Sequence, residues 1–195
     1  MSKSKRIVLA STSPFRKKLM DEAGIACDVA PALGDEKSVA GLPPTELAAK
    51  RAEFKALDVA RRSEAGALII GADQVLSLDG ISFDKAETES EAIQRLLEFQ
   101  GRTHFLHSGI CLVEVRPDGG IATVFETVVN IQMVMGPMSV DAVKKYVATG
   151  EWQGCVGCYR IEGEGRNLFT EVGGDHSSVI GLPMVELKKA LSLFQ

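Results

Sequence analysis

Apolar runs of two kinds alternate along the chain, and their order predicts an α/β protein. The runs Ile7–Ala10 and Ala67–Leu78 are rich in β-branched residues and typical of buried strands. The segment that follows Pro43-Pro44 spaces Leu47, Phe54 and Leu57 as a helix does. Alternation of strand and helix favours a sheet covered by helices.

Capping and turn residues set the expected boundaries. Ser13-Pro14 is an N-cap followed by a first-turn proline, Thr88 and Glu91 form a capping box, and Asp79-Gly80 indicates a hairpin. The predicted helices run from Pro14 to Ala23, Pro44 to Arg62, Thr88 to Phe99, Ser139 to Gly150, and onward from Pro183. The predicted strands are Ile7–Ala10, Ile25–Ala30, Ala67–Leu78, Ile81–Phe83, Thr103–Val115, Ile121–Met135 and Asn167–Val172.

The two longest predicted strands are joined by Pro117-Asp118-Gly119-Gly120, a turn sequence. They are expected to pair antiparallel, while the strand–helix alternation elsewhere favours parallel neighbours. We therefore expect an α/β fold with a twisted mixed β-sheet flanked by helices, in one domain spanning residues 1–195.

Composition narrows the function classes. The chain has 195 residues, 45% hydrophobic and 25% charged, which are ordinary values for a globular protein. Its net charge of −4 argues against non-specific binding to nucleic acid or to a membrane surface, which rests on positive charge. No apolar run is long enough to span a bilayer, so we expect a cytoplasmic protein.

The junction between the first strand and the first helix carries three hydroxyls, Ser11–Ser13, and three cations, Arg16–Lys18. A helix that begins at the carboxyl end of a strand points free N–H groups and a positive dipole into the crevice there. This combination predicts a phosphate site. The alternative is an ordinary capped helix with a solvated basic face.

Asp73 follows the apolar run Leu68–Ala72 directly. A buried carboxylate is costly unless it is paired or bound to a metal, so Asp73, with Gln74 beside it, is a candidate general base or Mg²⁺ ligand. A water-facing aspartate at the end of a strand is the alternative. Lys55 lies among the helical cations Lys50 and Arg51, where exposed cations are common.

Other residues have an ordinary interpretation beside the functional one. Glu36 is a metal ligand or a surface acid, Lys85 reaches a phosphate or is solvated, and Glu162 is by default a turn residue. The Cys155-Val156-Gly157-Cys158 motif suggests zinc or redox chemistry, but a second cysteine pair is missing and the stretch is rich in glycine. The nearby histidines, His104 and His107, fall on opposite faces of a strand and favour structural roles.

The order of these motifs is more specific than any one of them. From about Ile7 to Leu187 the chain has Ser-x-Ser-Pro-x-Arg, Asp-Glu, Lys-Ala, Ala-Asp-Gln-Val, a lysine after a hairpin, Glu-Gly-x-Gly and Gly-Leu-Pro. The set resembles the Maf family of nucleotide pyrophosphatases. The resemblance implies two lobes around a central cleft, hydrolysis of nucleoside triphosphates between the α and β phosphates, a divalent cation (Mg²⁺ or Mn²⁺), and a homodimer as a candidate assembly.

The resemblance also assigns roles to individual positions. It implies that Asp73 activates the water and that Glu36 binds the metal or orients that water. The residues it places on the triphosphate are Ser13, Arg16, Lys55 and Lys85. One departure is Asp84-Lys85-Ala86, where the family usually has Gly-Lys-Pro.

Three positions, Phe15, Gln74 and Glu162, resemble the branch that hydrolyses 7-methyl-GTP. A carboxylate at Glu162 accepts hydrogen bonds and suits the N1–H and N2–H of a guanine. An aromatic ring at Phe15 suits a cationic methylated base, although a core phenylalanine is the alternative. Two other functions stay open: the same reaction on dTTP or UTP, and a non-catalytic nucleotide-binding regulator of cell division.

Overall fold

Within residues 5–194, the part of the chain described by the computed structural model, the strands form one seven-stranded mixed sheet. The strands are β1 (Ile7–Ala10), β2 (Asp28–Val29), β3 (Leu68–Leu78), β4 (Ile81–Phe83), β5 (Thr103–Val115), β6 (Ile121–Met135) and β7 (Phe169–Val172). The α-helices are α1 (Pro14–Glu22), α2 (Pro44–Ala60), α3 (Glu89–Phe99), α4 (Val140–Val147), α5 (His176–Ile180) and α6 (Met184–Leu191). Short 3₁₀ helices cover Glu36–Ser38, Glu164–Leu168 and Ser192–Phe194.

The strand order is β2-β1-β3-β5-β6-β7, and β4 pairs with the outer part of β3. Strand β1 is parallel to both β2 and β3, whereas every other pairing is antiparallel. The predicted mixed sheet is therefore confirmed. In the parallel register Ala10 of β1 lies opposite Gly71 of β3, so the loop after β1 meets β3 near Asp73.

Helices cover both faces of the sheet because alternate side chains of the buried strands point to opposite sides. On β3, Ile70 packs in a cluster with residues of α1 and α6, such as Met20 and Leu187. Its neighbour Ile69 packs on the other side with residues of α2, such as Ala56. A third cluster, around Phe99, joins α3 and α4 to the far end of the sheet.

Two glycines let α2 approach the sheet closely. A Cβ on Gly71 would lie 2.0 Å from the Ala52 carbonyl oxygen, and one on Gly109 would lie 2.6 Å from the Ala48 carbonyl oxygen. No side chain fits at either position without moving the helix. The close approach brings Lys55, one turn along from Ala52, to the level of Asp73.

The boundaries of β5 and β6 agree with the prediction, but other elements differ. Strand β2 keeps only two of the six predicted residues, and β7 begins at Phe169 because the chain before it coils into a 3₁₀ helix. Helix α5 was not predicted; it has five residues and is capped by Asp175. None of the helices in the described residues is both long and apolar enough for a membrane span. The single domain over residues 1–195 stays a prediction.

Candidate active site

A cleft of about 930 Å³ lies where the strand–helix junction faces the loops after β4 and α4. One wall comes from residues 10–16 and 32–37, and the other comes from residues 83–87 and 153–162. The cleft brings together the nine residues to which the family resemblance gave a role: Ser13, Phe15, Arg16, Glu36, Lys55, Asp73, Gln74, Lys85 and Glu162.

The N-terminus of α1 forms one part of the cleft. The Ser13 hydroxyl accepts a hydrogen bond from the Arg16 amide at 3.4 Å, and the Ser13 amide donates to the Ser11 hydroxyl at 3.2 Å. Ser13 and Pro14 therefore cap and start the helix as predicted. The first turn lines the cleft, so the helix dipole favours an anion there.

Lys55 lies between two carboxylates at the floor of the cleft. Its Nζ is 2.6 Å from Asp73 Oδ1 and 3.0 Å from Glu36 Oε2, and only 12% of the side chain is exposed. Asp73 itself is 6% exposed, and its Oδ2 is buried without a hydrogen-bond partner among the described residues. The carboxylate thus has one oxygen held by a lysine and one that is buried without a hydrogen-bond partner among the described residues.

Burial and the neighbouring cations shift the pKa of the Asp73 carboxyl in opposite directions. Desolvation raises the pKa of Asp73, but the charges of Lys55 and Arg16, together with the Lys55 hydrogen bond, outweigh it and hold the pKa below the ordinary value of 3.8. Asp73 is therefore ionised at neutral pH. It is an acceptor held in a cationic environment.

Arg16 comes from α1 but is anchored across the site. Its Nε donates to the Gly181 carbonyl oxygen at 2.8 Å, and one terminal nitrogen donates to the Ser11 hydroxyl at 3.3 Å. Burial lowers the pKa of Arg16, while the charges of Asp73 and Glu36 act in the opposite direction. An arginine stays charged under such conditions, so the cleft has a fixed cation beside Asp73.

The three proposed specificity residues have distinct surroundings. The Arg160 guanidinium lies 5.1 Å from the centroid of the Phe15 ring, so this ring already stacks with a cation. Glu162 is exposed at the cleft wall. The Phe15 and Glu162 side chains thus both line the cleft.

Gln74 differs because its amide nitrogen is used within the protein. The nitrogen donates to the Ser108 hydroxyl at 2.8 Å and to the carbonyl oxygens of Val179 at 2.9 Å and Ser178 at 3.2 Å. Carbonyl oxygens only accept hydrogen bonds, which fixes the orientation of the amide. Gln74 therefore holds α5 against the sheet, a tie that the sequence did not indicate.

The cleft also holds a cation that the sequence treated as a surface residue. Arg51 lies one turn before Lys55 on α2, has a side chain only 16% exposed, and donates from Nε to the Val39 carbonyl oxygen at 3.2 Å. The four-residue spacing to Lys55 places both cations on one helix face and was the available signal. Lys85, from the opposite wall, is exposed.

His104 and His107 are hydrogen-bonded within the fold, and Cys155 and Cys158 are free thiols, the first half-buried and the second buried. His107 bonds to Ser77 and Asn130, whereas His104 lies 2.9 Å from the Tyr159 hydroxyl, and burial lowers the pKa of His104 to about 4. Burial raises the pKa of both Cys155 and Cys158. Across residues 5–194 no three His, Cys, Asp or Glu side chains group as a metal site of their own.

Comparison with known proteins adds to this geometry. The family model described as "Maf-like protein" matches residues 6–194. A "Nucleoside triphosphate pyrophosphatase" of Rhodopseudomonas palustris (strain BisB5) is 40% identical over 93% of this chain and 90% of its own length. A "7-methyl-GTP pyrophosphatase" of Rhizobium etli is 37% identical over 93% of this chain and 92% of its own.

Among solved structures, a "Nucleoside-triphosphatase / dITP/XTP pyrophosphatase" from Mycobacterium abscessus aligns over 96% of this chain and 94% of its own. Its TM-score is 0.43 and its sequence identity is 14%.

Proposed function

The chain belongs to the Maf-like protein family, and from that premise we propose that it converts 7-methyl-GTP to 7-methyl-GMP and pyrophosphate. That it is a nucleoside triphosphate pyrophosphatase, a hydrolase of phosphoric anhydrides, follows from relatives 36–40% identical over more than nine-tenths of the chain. The identity of the base and the residue roles are our proposal. The observation that supports it most is the Lys55 bridge between Asp73 and Glu36 in a cleft that also gathers Arg16 and Lys85.

The triphosphate would lie between the cations of the two cleft walls. Arg16 and Lys55 come from the α1–α2 wall, Lys85 comes from the opposite wall, and the first turn of α1 at Ser13 adds its free amides. Cations and helix N-termini fixed in advance stabilise phosphate charge without reorganising as the reaction proceeds. The spread of these groups over both walls suits a chain of phosphates better than a single anion.

Hydrolysis needs a water beside the α-phosphorus, and Asp73 supplies its acceptor. Lys55 holds Oδ1, and Oδ2 is buried without a partner among the described residues, so in this proposal Oδ2 receives the proton from a water that substrate binding brings to it. The Asp73 pKa, held low by Lys55 and Arg16, keeps the carboxylate in the required ionised form. Pyrophosphate then leaves as the new oxygen–phosphorus bond forms.

The donor set also fits a divalent cation. Glu36 and Asp73 offer carboxylate oxygens, one of them unpartnered, and Mg²⁺ in nucleotide enzymes commonly binds through one or two carboxylates plus substrate phosphates. When bound, such a cation would neutralise the charge that develops on the departing pyrophosphate. A homodimer and a cytoplasmic location remain predictions.

The base would be recognised by Phe15 and Glu162. A carboxylate accepts both N1–H and N2–H of a guanine, whereas uracil carbonyls need a donor. The Phe15 ring stacks with the Arg160 cation in this structure, and a cationic methylated base would take the place of that guanidinium. This exchange favours 7-methylguanine over guanine.

A nucleotide panel tests the assignment: kcat/KM is measured for 7-methyl-GTP, GTP, dTTP and UTP through pyrophosphate release. We expect 7-methyl-GTP to lead, and Phe15→Leu to lower its advantage over GTP by about 2- to 30-fold, the equivalent of a cation–π contact of roughly 0.5–2 kcal/mol. Glu162→Gln should reduce the preference for guanine bases over UTP.

Matched controls are Phe105→Leu and Glu164→Gln, which alter exposed residues that do not line the cleft. A wild type that prefers dTTP or UTP, or a Glu162→Gln variant with unchanged preference, would overturn the base assignment while leaving the reaction type intact.

A further inference from the structure

Lys85 occupies a segment with little support of its own. Residues 84–87, between β4 and α3, have no regular secondary structure, and Lys85 is exposed at the cleft wall. A long flexible side chain on such a segment binds a phosphate well only if the backbone beneath it is held.

The Glu87 amide donates to the Glu91 carboxylate and Arg51 lies 4.0 Å from the Asp84 carboxylate, but it is Arg95 that ties this segment to the other loop of its wall. Arg95, half-buried on α3, donates from one terminal nitrogen to the Asp84 carbonyl oxygen, which directly precedes Lys85. Its guanidinium also lies 5.4 Å from the centroid of the Phe83 ring, at the end of β4. Arg95 therefore contacts the segment on the N-terminal side of Lys85 in two ways.

The same guanidinium reaches the other loop of this wall. It donates to the Val156 carbonyl oxygen at 3.0 Å and lies 3.8 Å from Cys158 Sγ. The two loops are thus joined through Arg95, next to Lys85 on its N-terminal side.

The turn that receives these contacts is closed by a hydrogen bond from the Cys158 amide to the Cys155 carbonyl oxygen at 3.2 Å. Cys158 has φ +59°, a left-handed conformation that is unfavourable for a residue with a side chain. Such a conformation persists where surrounding contacts hold it. This assigns a structural part to the Cys-x-x-Cys motif, which the reaction itself does not use.

We propose that Arg95 is a positioning residue for the pyrophosphatase reaction, acting through Lys85. It fastens the Lys85 segment to the turn at residues 155–158, so that the ammonium group is directed at the triphosphate. The inference rests on the proposed function, because Lys85 is a substrate contact only there.

A double-mutant cycle separates positioning from general stabilisation. KM and kcat are measured for Arg95→Met, Lys85→Ala and the double variant, with the triphosphate that the wild type hydrolyses best. We expect Arg95→Met alone to raise KM about tenfold with kcat within about threefold, since uniform binding is lost. In the Lys85→Ala background the same substitution should change KM less than about twofold.

Arg95→Lys keeps the charge but loses the planar guanidinium that lies over the Phe83 ring, so it should fall between wild type and Arg95→Met. If Arg95→Met does not fold, as shown by its circular dichroism and Tm, the cycle is run with Arg95→Lys. Arg102→Met removes an exposed arginine paired with Asp79 and should leave KM within about twofold, the range of ordinary surface substitutions.

Equal effects of the Arg95 substitution in both backgrounds would overturn the proposal, and so would an unchanged KM in Lys85→Ala alone. Neither result touches the pyrophosphatase activity, which is measured on the wild type first. An inactive wild type would instead refute the proposed function.

Discussion

Two polar groups on the central strands look alike in the sequence and differ in the structure. On β5, His107 bonds through one ring nitrogen to Ser77 at 2.8 Å and through the other to Asn130 at 2.7 Å. On β3, Asp73 has one oxygen on Lys55 and the other unpartnered. Both are buried polar residues in apolar strands, but only the first has all its hydrogen-bonding groups used.

The difference teaches how to tell a structural polar group from a functional one. The neutral His107 group is saturated, so it can add only stability and specificity to the fold. Asp73 and Lys55 form a pair of opposite charges at the cleft, and one Asp73 oxygen has no hydrogen-bond partner among the described residues. Burying such groups costs free energy as long as no substrate is bound. A substitution at Asp73 should therefore lower the catalytic rate, whereas one at His107 should lower the stability of the fold.

The largest effect is expected at Asp73. Asp73→Asn removes the proton acceptor while keeping the shape, so kcat should fall about 10³-fold, within the usual range for general-base catalysis. Calorimetric titration should show that triphosphate binding is kept. Asp79→Asn, an exposed aspartate on the turn after the same strand, is the control. Retained turnover in Asp73→Asn would show that Asp73 is not the proton acceptor of the reaction.

A second, smaller effect is expected at Lys55, measured as a pH profile of kcat/KM. In the wild type the Asp73 pKa lies below 3.8, so activity should be level on the acid side until well below pH 5. In Lys55→Met the opposing cation is gone, burial raises the Asp73 pKa, and the acid limb should move to higher pH. Lys50→Met, an exposed lysine on the same helix, should keep the wild-type profile. An unmoved acid limb would show that Lys55 does not tune Asp73.

The smallest effect on activity is expected at His107, where stability changes instead. His107→Leu leaves the buried Ser77 hydroxyl without its partner and should lower the free energy of unfolding by about 1–3 kcal/mol, with kcat unchanged. Denaturant unfolding at pH 7 and turnover at the same pH measure both quantities. A large loss of kcat in a folded His107→Leu variant would show that His107, like Asp73, contributes to catalysis, and would contradict this prediction.

The pH dependence of that stability gives a second readout. Burial lowers the pKa of His107 below 6.5, so the unfolded chain binds a proton before the folded chain does. The free energy of unfolding should therefore fall as the pH drops below about 6.5 in the wild type. In His107→Leu this contribution is absent, so the difference between the two proteins should shrink toward acid pH.

Features fixed by neighbouring residues were predictable from sequence. The Ser13 cap and the bounds of β5 and β6 depend on capping chemistry and local patterning. The capping box at Thr88 was only half right, because the Glu91 carboxylate accepts from the Glu87 amide instead of the cap residue.

Contacts between distant parts of the chain were not predictable. Gln74 meets Val179 across 105 positions, and Arg16 meets Gly181 across 165. Arg160 on Phe15 is a contact of the same kind. The residues that the motifs singled out all line one cleft, but their hydrogen-bond partners follow from the packing of α2 and α5 on the sheet.

Hydrolysis in ¹⁸O-enriched water tests the central claim most directly, because the account places the attacking water beside Asp73 and the α-phosphorus. Mass spectrometry of the products from 7-methyl-GTP should find one ¹⁸O in the monophosphate and none in the pyrophosphate. Label in the pyrophosphate, or release of orthophosphate and a nucleoside diphosphate, would contradict the proposed reaction in this cleft.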